Sequence, residues 1–500
     1  MRSSSCIVLT THLDDQVRVF WGQRSPARPF LGGYHAMVGG RQEEADVRWG
    51  GDSSRAALGC AARELFEECG VLCLIQGVCW TGAGAKGPVD AQTLEQARAD
   101  SAQDPEAFYA FLHAHDLCLD EARYTPIGHW VSPPWYASRF ATDFVHVDIP
   151  PWDFEALGLA SLGAYVVGEE MIAGQWVDPA QAYEAMMQGE IAVSAPNAAL
   201  MRAFARGPRP TQEHPLNQGD CPEPTQAIQA RGALRVPLKS PTLAPATHTN
   251  CYVLDGGESF VVVDPGSAQR AELERLFEVV DQRVDEGLRF EAVVLTHHHV
   301  DHVVGVRAVC KRYGVPVWAH EATTPYVPEL EIARHLGDGK RLELGPRRTL
   351  ECVWTPGHAP GHLVLVDHAM GWAWIGDMMA SVGTILINPP AGNMGDYMRS
   401  LERLLQLPVD KMLPAHGNII THAHERVRAY IAHRQARERK ILEAVGAHPA
   451  KGADVLVRAA YDDVPPNVWP VAMLSMRAHL EHLVEQGAIE PAGKGHRVVV

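Results

Sequence analysis

The sequence predicts an α/β multidomain protein, and three observations lead to that fold class. The chain has 500 residues, 46% of them hydrophobic and 21% charged, which suits a globular chain of roughly two to four domains. Strand-like apolar runs alternate with a helical pattern between residues 250 and 310, as in layered α/β cores. Beyond residue 430 the pattern changes to three helical segments and a short strand end. We therefore expect domains of different architecture along one chain.

Three glutamates share one face of a predicted helix near the front of the chain. Glu64, Glu67 and Glu68 lie at positions i, i+3 and i+4 in the stretch 63–71, RELFEECGV. Like charges at this spacing cost about 0.2–0.5 kcal/mol per pair, unless a cation lies among them. Mg²⁺ prefers such oxygen ligands. The alternative interpretation is an ordinary solvated acidic helix.

The stretch 63–71 resembles the Nudix box, whose family hydrolyses nucleoside diphosphates linked to another moiety. Residues 32–40, GGYHAMVGG, and 130–144, WVSPPWYASRFATDF, are similar to the Nudix subgroup that includes coenzyme A diphosphatases. The resemblance implies a Nudix α/β/α sandwich over residues 1–210. It also implies a Mg²⁺ site and a catalytic role for two of the carboxylates, which are Glu67 and Glu68.

Two positions depart from the Nudix pattern. Arg55 stands where the pattern has a glutamate, and Trp49 stands where it has a glycine. Either the loop is remodelled or catalysis is lost while ligand binding survives. The front domain is therefore either a second enzyme or a nucleotide- or coenzyme A-sensing module that controls the rear one.

A linker is predicted behind the front domain. Residues 205–235 are rich in Pro, Gly, Gln and Asp and lack any periodicity, so we place a linker at 211–235. Strand-like runs follow at 250–254, 259–264 and 290–296, with a helical pattern at 271–280. The rear domain, residues 236–430, is therefore expected to have a layered α/β core.

Four histidines and an aspartate stand within six residues after the third of these strands, in the stretch 294–305, VLTHHHVDHVVG. The end of a strand in an α/β sheet is the usual location of a site. His297 and His299, at i and i+2, can point the same way. Asp301 and His302 lie beyond the turn and can serve a second ion. A chance histidine run on a surface loop is the alternative.

Three later segments carry the same kinds of side chain. They are 355–363, TPGHAPGHL, then 374–378, WIGDM, and 413–417, LPAHG. In this order and spacing, the segments resemble the metallo-β-lactamase superfamily over residues 236–430, which implies an αββα sandwich with two metal ions at its edge. The resemblance assigns His297, His299 and His358 to one ion, Asp301, His302 and His416 to the other, and Asp377 as the bridge.

The implied ligands are imidazole and carboxylate without thiolate, which suits two Zn²⁺ ions and also Mn²⁺ or Fe²⁺. Two such ions lower the pKa of a shared water towards ~7 and polarise the bond under attack. Hydrolysis is therefore the predicted reaction, with Asp301 orienting the attacking group. His362 is expected to support the site or to face the substrate, and His298 is expected to be packed.

Three other segments narrow the choice of substrate class. Residues 247–252, THTNCY, 262–266, VVDPG, and 383–401, GTILINPPAGNMGDYMRSL, resemble the branch that contains lactamase-like endoribonucleases. That branch also carries a C-terminal winged helix, here residues 431–500. It implies single-stranded RNA cleavage. The thioesterase function of glyoxalase II-like members stays open, because the metal motif is shared.

Charge and composition limit the partners. The net charge is −16, whereas phosphate neutralisation by a duplex DNA binder needs clustered Lys and Arg. The only compact basic run is 433–440, HRQARERK, which makes Arg434, Arg437, Arg439 and Lys440 nucleic-acid candidates; a solvated helix face is the alternative. A small molecule or single-stranded RNA is the expected substrate, without duplex DNA or membrane.

The expected compartment is the cytoplasm. The apolar run near the N-terminus is too short for a secretory signal, and the ten cysteines form no repeated CxxC pair. Scattered cysteines of this kind are typical of free thiols in a reducing compartment. The oligomeric state is not determined by the sequence.

Overall fold

The structure is a computed structural model that describes residues 1–28, 31–75, 77–81, 88–133, 139–165, 170–207 and 227–499. It divides into two compact units, Met1–Arg231 and Gly232–Val500. Two segments used in the sequence analysis lie partly outside the described residues, namely 134–138 of the Nudix-like stretch and 211–226 of the predicted linker. The end of the predicted linker is not a linker, because residues 227–230 and 233–239 form strands.

The front unit mixes strands and helices. Its strands are β1 (Arg2–Leu13), β2 (Gln16–Arg24), β3 (His35–Ala36), β4 (Val38–Arg41), β5 (Val71–Leu74), β6 (Gly77–Trp80), β7 (Thr125–Val131), β8 (Phe140–Ile149), β9 (Met171–Val177) and β10 (Ala227–Ala230). Its helices are α1 (Glu44–Gly50), α2 (Ser53–Cys69), α3 (Ala91–Gln103), α4 (Pro105–Ala114), α5 (Pro151–Leu157), α6 (Leu162–Tyr165), α7 (Pro179–Met187) and α8 (Ala195–Phe204).

Strand β1 is the centre of the front sheet. The strand order is β3-β2-β1-β8-β7, with β4 also paired to β1 and β9 paired to β2. β1 runs parallel to β8 and antiparallel to β2, and its Ile7 and Leu9 are fully buried. Helix α2 packs Leu65 and Phe66 into the same core as these strands. The predicted helix at 63–71 is therefore confirmed up to Cys69, where α2 ends.

The rear unit contains the remaining elements. Its strands are β11 (Ala233–Lys239), β12 (His248–Asp255), β13 (Ser259–Val263), β14 (Arg289–Val294), β15 (Val317–Ala319), β16 (Ile332–His335), β17 (Arg341–Glu343), β18 (Thr349–Trp354), β19 (Leu363–Asp367), β20 (Trp372–Gly376), β21 (Lys411–Pro414), β22 (Ile489–Ala492) and β23 (Gly495–Val498). Its helices are α9 (Arg270–Asp285), α10 (Val300–Val303), α11 (Val306–Tyr313), α12 (Met394–Leu404), α13 (Ala423–Ala447), α14 (Ala453–Ala460) and α15 (Trp469–Glu485).

Two sheets form the core of the rear unit. One has the order β11-β12-β13-β14-β15-β16 and the other β17-β18-β19-β20-β21. Tyr252 of β12 meets the ring of Trp374 in β20, with ring centroids 6.5 Å apart, and its hydroxyl donates to the Pro414 carbonyl at 2.8 Å. Helices α9 and α11 pack on the first sheet, and α12 and α13 pack on the second. The predicted αββα sandwich is confirmed.

Helix α13 joins the sandwich to the C-terminal helices. Val427 and Tyr430 belong to the core of the second sheet, whereas Ile441 and Val445 belong to a separate core with α14 and α15. The predicted boundary at 430/431 therefore lies inside one continuous helix of 25 residues. Strands β22 and β23 form the hairpin that completes the winged helix.

Two further findings concern the described part of the chain. None of the helices described there is long and apolar enough to cross a membrane. The nine cysteines in the described residues are all free thiols, as the sequence predicts.

Candidate metal centre

Four of the seven histidines and aspartates predicted to bind metal follow strand ends of the rear unit. His297 follows β14, His358 follows β18, Asp377 follows β20 and His416 follows β21, whereas Asp301 and His302 lie in α10. β14 is parallel to β13, and β20 is parallel to β21, so the strands of each pair end at the same edge of their sheet. The seven side chains form three overlapping groups in which potential ligand atoms lie within 4.8 Å of one another: His297, His299 and His358; His297, His302 and Asp377; Asp301, His302 and His416.

The first group is built from three imidazoles. Nε2 of His297 is 3.0 Å from Nδ1 of His299 and 3.2 Å from Nε2 of His358. His297 is fully buried and His358 is 6% exposed, whereas His299 is half-buried. Nitrogen lone pairs that converge in this way are suited to a shared cation.

The second group is linked to the first by Asp377. Its Oδ1 lies 3.3 Å from Nε2 of His416 and 3.6 Å from Nε2 of His302, and its Oδ2 lies 3.5 Å from Nε2 of His358. Asp301 adds a second carboxylate, with Oδ2 3.5 Å from Nε2 of His416. One carboxylate thus faces both groups of imidazoles, which is the geometry of a bridging ligand.

Two buried atoms at the centre have no hydrogen-bond partner among the described residues. They are Nε2 of His302 and Oδ1 of Asp377. A buried polar atom without a partner costs free energy, roughly 1–3 kcal/mol and more for a charged group. A divalent cation between these atoms would satisfy both, so the donor set fits the two ions that the sequence implies.

In three of the imidazoles, the nitrogen opposite the site is held by the protein. Nδ1 of His358 donates to the Leu386 carbonyl at 2.9 Å, and Nδ1 of His416 donates to the His248 carbonyl at 3.0 Å. Nδ1 of His302 pairs with Oδ2 of Asp264 at 2.8 Å. These contacts fix the ring orientation and direct Nε2 towards the site, which is how proteins usually orient metal-binding histidines.

Asp264 is a functional residue that the sequence analysis missed. It is 2% exposed and accepts three hydrogen bonds: from the Thr296 amide at 2.8 Å, from Thr296 Oγ1 at 2.6 Å and from His302. Its signal was present in the stretch 262–266, an aspartate directly after an apolar strand. Because Val263 of β13 pairs with Val294 of β14 in parallel, the two strand ends bring Asp264 beside Thr296.

His362 supports the backbone of Asp377. Its Nε2 accepts a hydrogen bond from the Asp377 amide at 3.1 Å, and its Nδ1 donates to Thr355 Oγ1 at 2.9 Å. The ring lies so close to Gly376 that a methyl group there would be 2.7 Å from Nε2 of His362, and Gly376 has φ +48°. Only glycine suits this position. His362 therefore holds Asp377 from outside the ligand set.

His298 lies apart from the ligand groups. Its ring stacks on Tyr326, with centroids 4.1 Å apart and an interplanar angle of 22°. The packed role expected for His298 agrees with this contact.

The ionisable groups are strongly perturbed in the absence of metal. Burial lowers the pKa of His358 to about 3. Burial also disfavours a charged His416, but the Asp377 and Asp301 carboxylates outweigh it and raise the pKa of His416 to about 10. Asp264 and Asp377 likewise outweigh burial and raise the pKa of His302 well above its ordinary value. Both shifts favour the protonated imidazole, so metal binding at these two side chains is coupled to the release of protons.

The basic run of the C-terminal module does not form an exposed patch, which corrects the prediction for two of its members. Arg434 and Arg437 are 3% and 7% exposed. Arg434 donates to the Ile385 carbonyl and to Ser475 Oγ, and Arg437 binds Asp463 and the Ala460 carbonyl. Lys440 pairs with Asp462 at 2.8 Å, and Arg439 is exposed. Helix packing, which a basic sequence pattern does not reveal, directs the two buried arginines inwards.

Two of the three glutamates of the front unit pair with Arg63. Nη1 of Arg63 is 2.9 Å from Oε1 of Glu64 and 2.9 Å from Oε2 of Glu67. Glu68 is half-buried, and its buried Oε2 atom has no hydrogen-bond partner among the described residues. A methyl group at Gly40 would lie 2.3 Å from the carboxyl carbon of Glu64, so the predicted glycine stretch 32–40 allows this close approach.

Burial shifts these carboxyl groups towards the neutral form. Burial and the Glu67 carboxylate raise the pKa of Glu64 to about 7, against the opposing charge of Arg63. Burial and the Glu64 carboxylate raise the pKa of Glu68 well above its ordinary value. The side chains of Glu64 and Glu67 are each 13% exposed, so they do not form the solvated face of an acidic helix, and a cation would favour the ionised form of the carboxyl groups.

Asp46 is a second residue that the sequence analysis missed. It is fully buried in α1, and its two oxygens accept from Nε and Nη2 of Arg63 at 2.9 and 3.0 Å. Arg55, at the position where the Nudix pattern has a glutamate, does not contact Arg63 in this way. It pairs with Glu121 at 2.7 Å and lies over the ring of Trp49. The buried partner of Arg63 thus comes from another helix.

Three known proteins resemble parts of the chain. A Beta-lactamase-like protein 2 homolog from Drosophila melanogaster is 27% identical over 262 residues, which are 50% of this chain and 87% of that protein. Atrochrysone carboxyl ACP thioesterase from Aspergillus fumigatus is 28% identical over 197 residues, 39% of this chain and 59% of that protein. A solved NUDIX hydrolase from Alicyclobacillus acidocaldarius is 23% identical with a TM-score of 0.35, covering 44% of this chain and 97% of its own. That TM-score does not assign a family to the front unit.

Family models match two segments of the rear unit. The model described as "Metallo-beta-lactamase superfamily" matches residues 244–416, which include all seven histidines and aspartates of the metal centre. The model described as "Beta-lactamase associated winged helix domain" matches residues 453–496. The rear unit therefore contains a hydrolase domain of the metallo-β-lactamase superfamily, followed by a β-lactamase-associated winged helix domain.

Proposed function

We propose that the rear unit hydrolyses a thioester with the help of two divalent metal ions. The observation that carries the proposal is the convergence of seven imidazole and carboxylate groups, among which the buried Nε2 of His302 and Oδ1 of Asp377 form no hydrogen bond with the described residues. Bound ions would supply the activation of water and the polarisation of the carbonyl group. Zn²⁺, Mn²⁺ and Fe²⁺ all suit these ligands.

The protein groups have separate tasks in this proposal. His297, His299 and His358 would hold one ion, Asp301, His302 and His416 the other, and Asp377 would bind both. Burial raises the pKa of Asp301, but the hydrogen bond and charge of His416, together with the charge of His302, outweigh burial and lower this pKa to about 2. A carboxylate with that pKa accepts a hydrogen bond without taking up the proton at neutral pH. Asp301 would therefore orient the attacking group rather than act as its base.

A thioester is preferred to RNA as the substrate for two reasons. Two of the four basic residues expected to hold RNA are buried, and a third is paired with Asp462, so no compact cationic surface supports a polyanion in this segment. A net charge of −16 is also unfavourable for RNA. In addition, one relative is named as a thioesterase. Endoribonuclease activity is the competing proposal, and the substrate panel below tests it with a single-stranded oligoribonucleotide.

The test is a metal analysis followed by a substrate panel with the purified full chain. We expect about two transition-metal ions per chain and metal-dependent hydrolysis of an acyl-coenzyme A thioester. A single-stranded oligoribonucleotide should stay intact. The paired substitution His297→Ala/His299→Ala should remove metal and lower the hydrolysis rate by on the order of 100-fold or more, because the reacting groups lose their fixed geometry.

Each alternative outcome has a definite meaning. Metal-dependent cleavage of the oligoribonucleotide without thioesterase activity would overturn the substrate class but keep the metal site. A full chain without transition metal, or one that keeps its metal in the paired variant, would overturn the metal site itself.

We also propose that the front unit binds a diphosphate-containing ligand, coenzyme A or a nucleotide, together with Mg²⁺. Glu64, Glu67 and Glu68 provide oxygen ligands, and the unpartnered Oε2 of Glu68 is a buried atom that a cation would satisfy. Asp46 pairs with Arg63 and so holds the arginine that contacts Glu64 and Glu67. This carboxylate lies outside the residues of the Nudix pattern. Binding and catalysis are separable here, because the flanking loop differs from that pattern at Trp49 and Arg55.

Calorimetry of the full chain with coenzyme A and with ADP-ribose tests the front unit. We expect binding that requires Mg²⁺ and is lost in Glu67→Gln and in Glu68→Gln, since each change removes an anionic oxygen from the cluster. Glu44→Gln is the control, because the Glu44 side chain is 94% exposed on α1. Equal binding with and without Mg²⁺ would contradict the cation site, and absence of binding would leave the front unit without a ligand role.

A further inference from the structure

Helix α13 holds the loop that follows the bridging aspartate. Tyr430 and Arg434 lie one turn apart on the same face of this helix. The Tyr430 hydroxyl donates to the Gly383 carbonyl at 2.8 Å and accepts from the Ala380 amide at 3.0 Å. Nη2 of Arg434 donates to the Ile385 carbonyl. Two side chains thus bind three backbone groups within six residues of the loop.

The same loop carries the hydrogen-bond acceptor of a metal-centre histidine. Nδ1 of His358 donates to the carbonyl of Leu386, which is the residue after Ile385. The orientation of the His358 ring, and with it the direction of Nε2, depends on where this carbonyl lies. The position of the carbonyl depends in turn on the adjacent peptide group that Arg434 binds.

Arg434 is itself held firmly in place. Its guanidinium group lies over the ring of Tyr397, 5.4 Å from the centroid, and Nη1 donates to Ser475 Oγ of α15 at 3.3 Å. The Tyr397 hydroxyl donates to the Met378 carbonyl at 2.6 Å, directly after Asp377. A buried cation with aromatic, hydroxyl and carbonyl partners has little freedom to move.

We propose that Arg434 is a positioning residue for the metal centre, acting through the Ile385–Leu386 backbone on His358. Helix α13, which joins the sandwich to the winged helix, would then contribute to the site by fixing the orientation of a ligand rather than by binding nucleic acid. This inference rests on the proposed metal site, since it requires an ion that His358 binds. Outer hydrogen-bond partners of metal-binding histidines typically change metal affinity by about 10- to 100-fold when they are lost.

The chain offers a matched control for this proposal. Arg437 lies three residues further along α13, is similarly buried and lies over an aromatic ring, that of Tyr461. Its hydrogen bonds go to the Ala460 carbonyl and to Asp463, both within the C-terminal helices, and none reaches the loop at 380–386. A general loss of stability should therefore appear when either Arg434 or Arg437 is replaced. A change at the metal centre should appear only when Arg434 is replaced.

The experiment compares Arg434→Met, Arg434→Lys and Arg437→Met in the full chain. Each chelator-treated protein is titrated with Zn²⁺ against a competing chromophoric chelator, and its unfolding in urea is measured without metal. We expect Arg434→Met to bind one of the two ions about tenfold more weakly. Arg434→Lys should recover part of that affinity, because it keeps a charged donor. Arg437→Met should bind Zn²⁺ with the same affinity as the unaltered chain, even if it unfolds at a lower urea concentration.

Equal Zn²⁺ affinity in Arg434→Met and the unaltered chain would overturn the positioning role, and so would an equal loss in Arg437→Met. An unaltered chain that binds no Zn²⁺ would instead overturn the proposed metal site. If Arg434→Met does not fold, Tyr430→Phe provides the second variant, since it removes the other anchor of the loop. Tyr430→Phe should also weaken the binding of one Zn²⁺ ion, and an unchanged Zn²⁺ affinity in that variant would overturn the inference.

Discussion

Replacing Asp377 by alanine is expected to lower hydrolysis by on the order of 100-fold or more, because the reacting groups would lose their fixed geometry. Asp377 presents Oδ1 to His302 and His416 and Oδ2 to His358, so its loss removes the one group that faces both sets of ligands. The measurements are the turnover of the substrate that the panel identifies and the metal content per chain. We expect fewer than two ions per chain together with the loss of activity.

Asp377→Asn separates charge from shape in the same experiment. The amide keeps the size of the side chain and offers one oxygen in place of two anionic ones, so it should also fail to bind two ions. Asp338→Asn is the control, because Asp338 pairs with Arg403 at a partly exposed position away from the ligand set. Full turnover with two ions bound in Asp377→Ala would show that the bridge has been assigned to the wrong residue.

Replacing Asp264 is expected to affect both stability and metal binding. The Asp264 carboxylate is buried with Thr296 and His302, and removing one partner of a buried charged pair costs about 3–5 kcal/mol. Asp264→Ala should therefore lower the free energy of unfolding by about that amount. The measurement is urea unfolding of the metal-free chain, with Asp285→Ala at the exposed end of α9 as the control.

Asp264→Asn is the sharper test of metal binding. Asp264 has φ +51°, a left-handed conformation that Asn also adopts readily, so the backbone should persist. The change removes the negative charge opposite Nδ1 of His302, and we expect one ion to bind about 10- to 100-fold more weakly. Unchanged Zn²⁺ affinity would mean that Thr296 and the backbone suffice to orient His302.

The metal-centre side chains illustrate how far sequence patterns reach. His297, His358, Asp377 and His416 each follow an apolar strand or stand in a Gly/Pro turn, and strand ends of one sheet meet at one edge. Such a pattern can be read without coordinates. Asp264 has the same local signature, but its partner Thr296 is 32 residues away, and only the parallel register of β13 and β14 brings the two together.

The arginines of α13 illustrate the opposite case. The stretch 433–440 has the composition of a surface patch, yet Arg434 and Arg437 are buried. A guanidinium group is stable inside a protein when carbonyl, carboxylate and aromatic partners surround it, and those partners come from distant parts of the chain. The burial of these side chains could not be predicted from the helix that carries them.

Periodicity along the sequence predicts the α/β class and the C-terminal winged helix, and the resemblance of its motifs to a known superfamily implies the sandwich and the seven metal-ligating side chains. Both kinds of inference use residue patterns within short segments. The tertiary structure alone decided that Asp264 and Leu386 orient the histidines, that Asp46 pairs with Arg63, and that Arg434 faces the metal-centre loop. Each of these contacts joins residues 17 to 49 positions apart, and its formation depends on how sheets and helices pack.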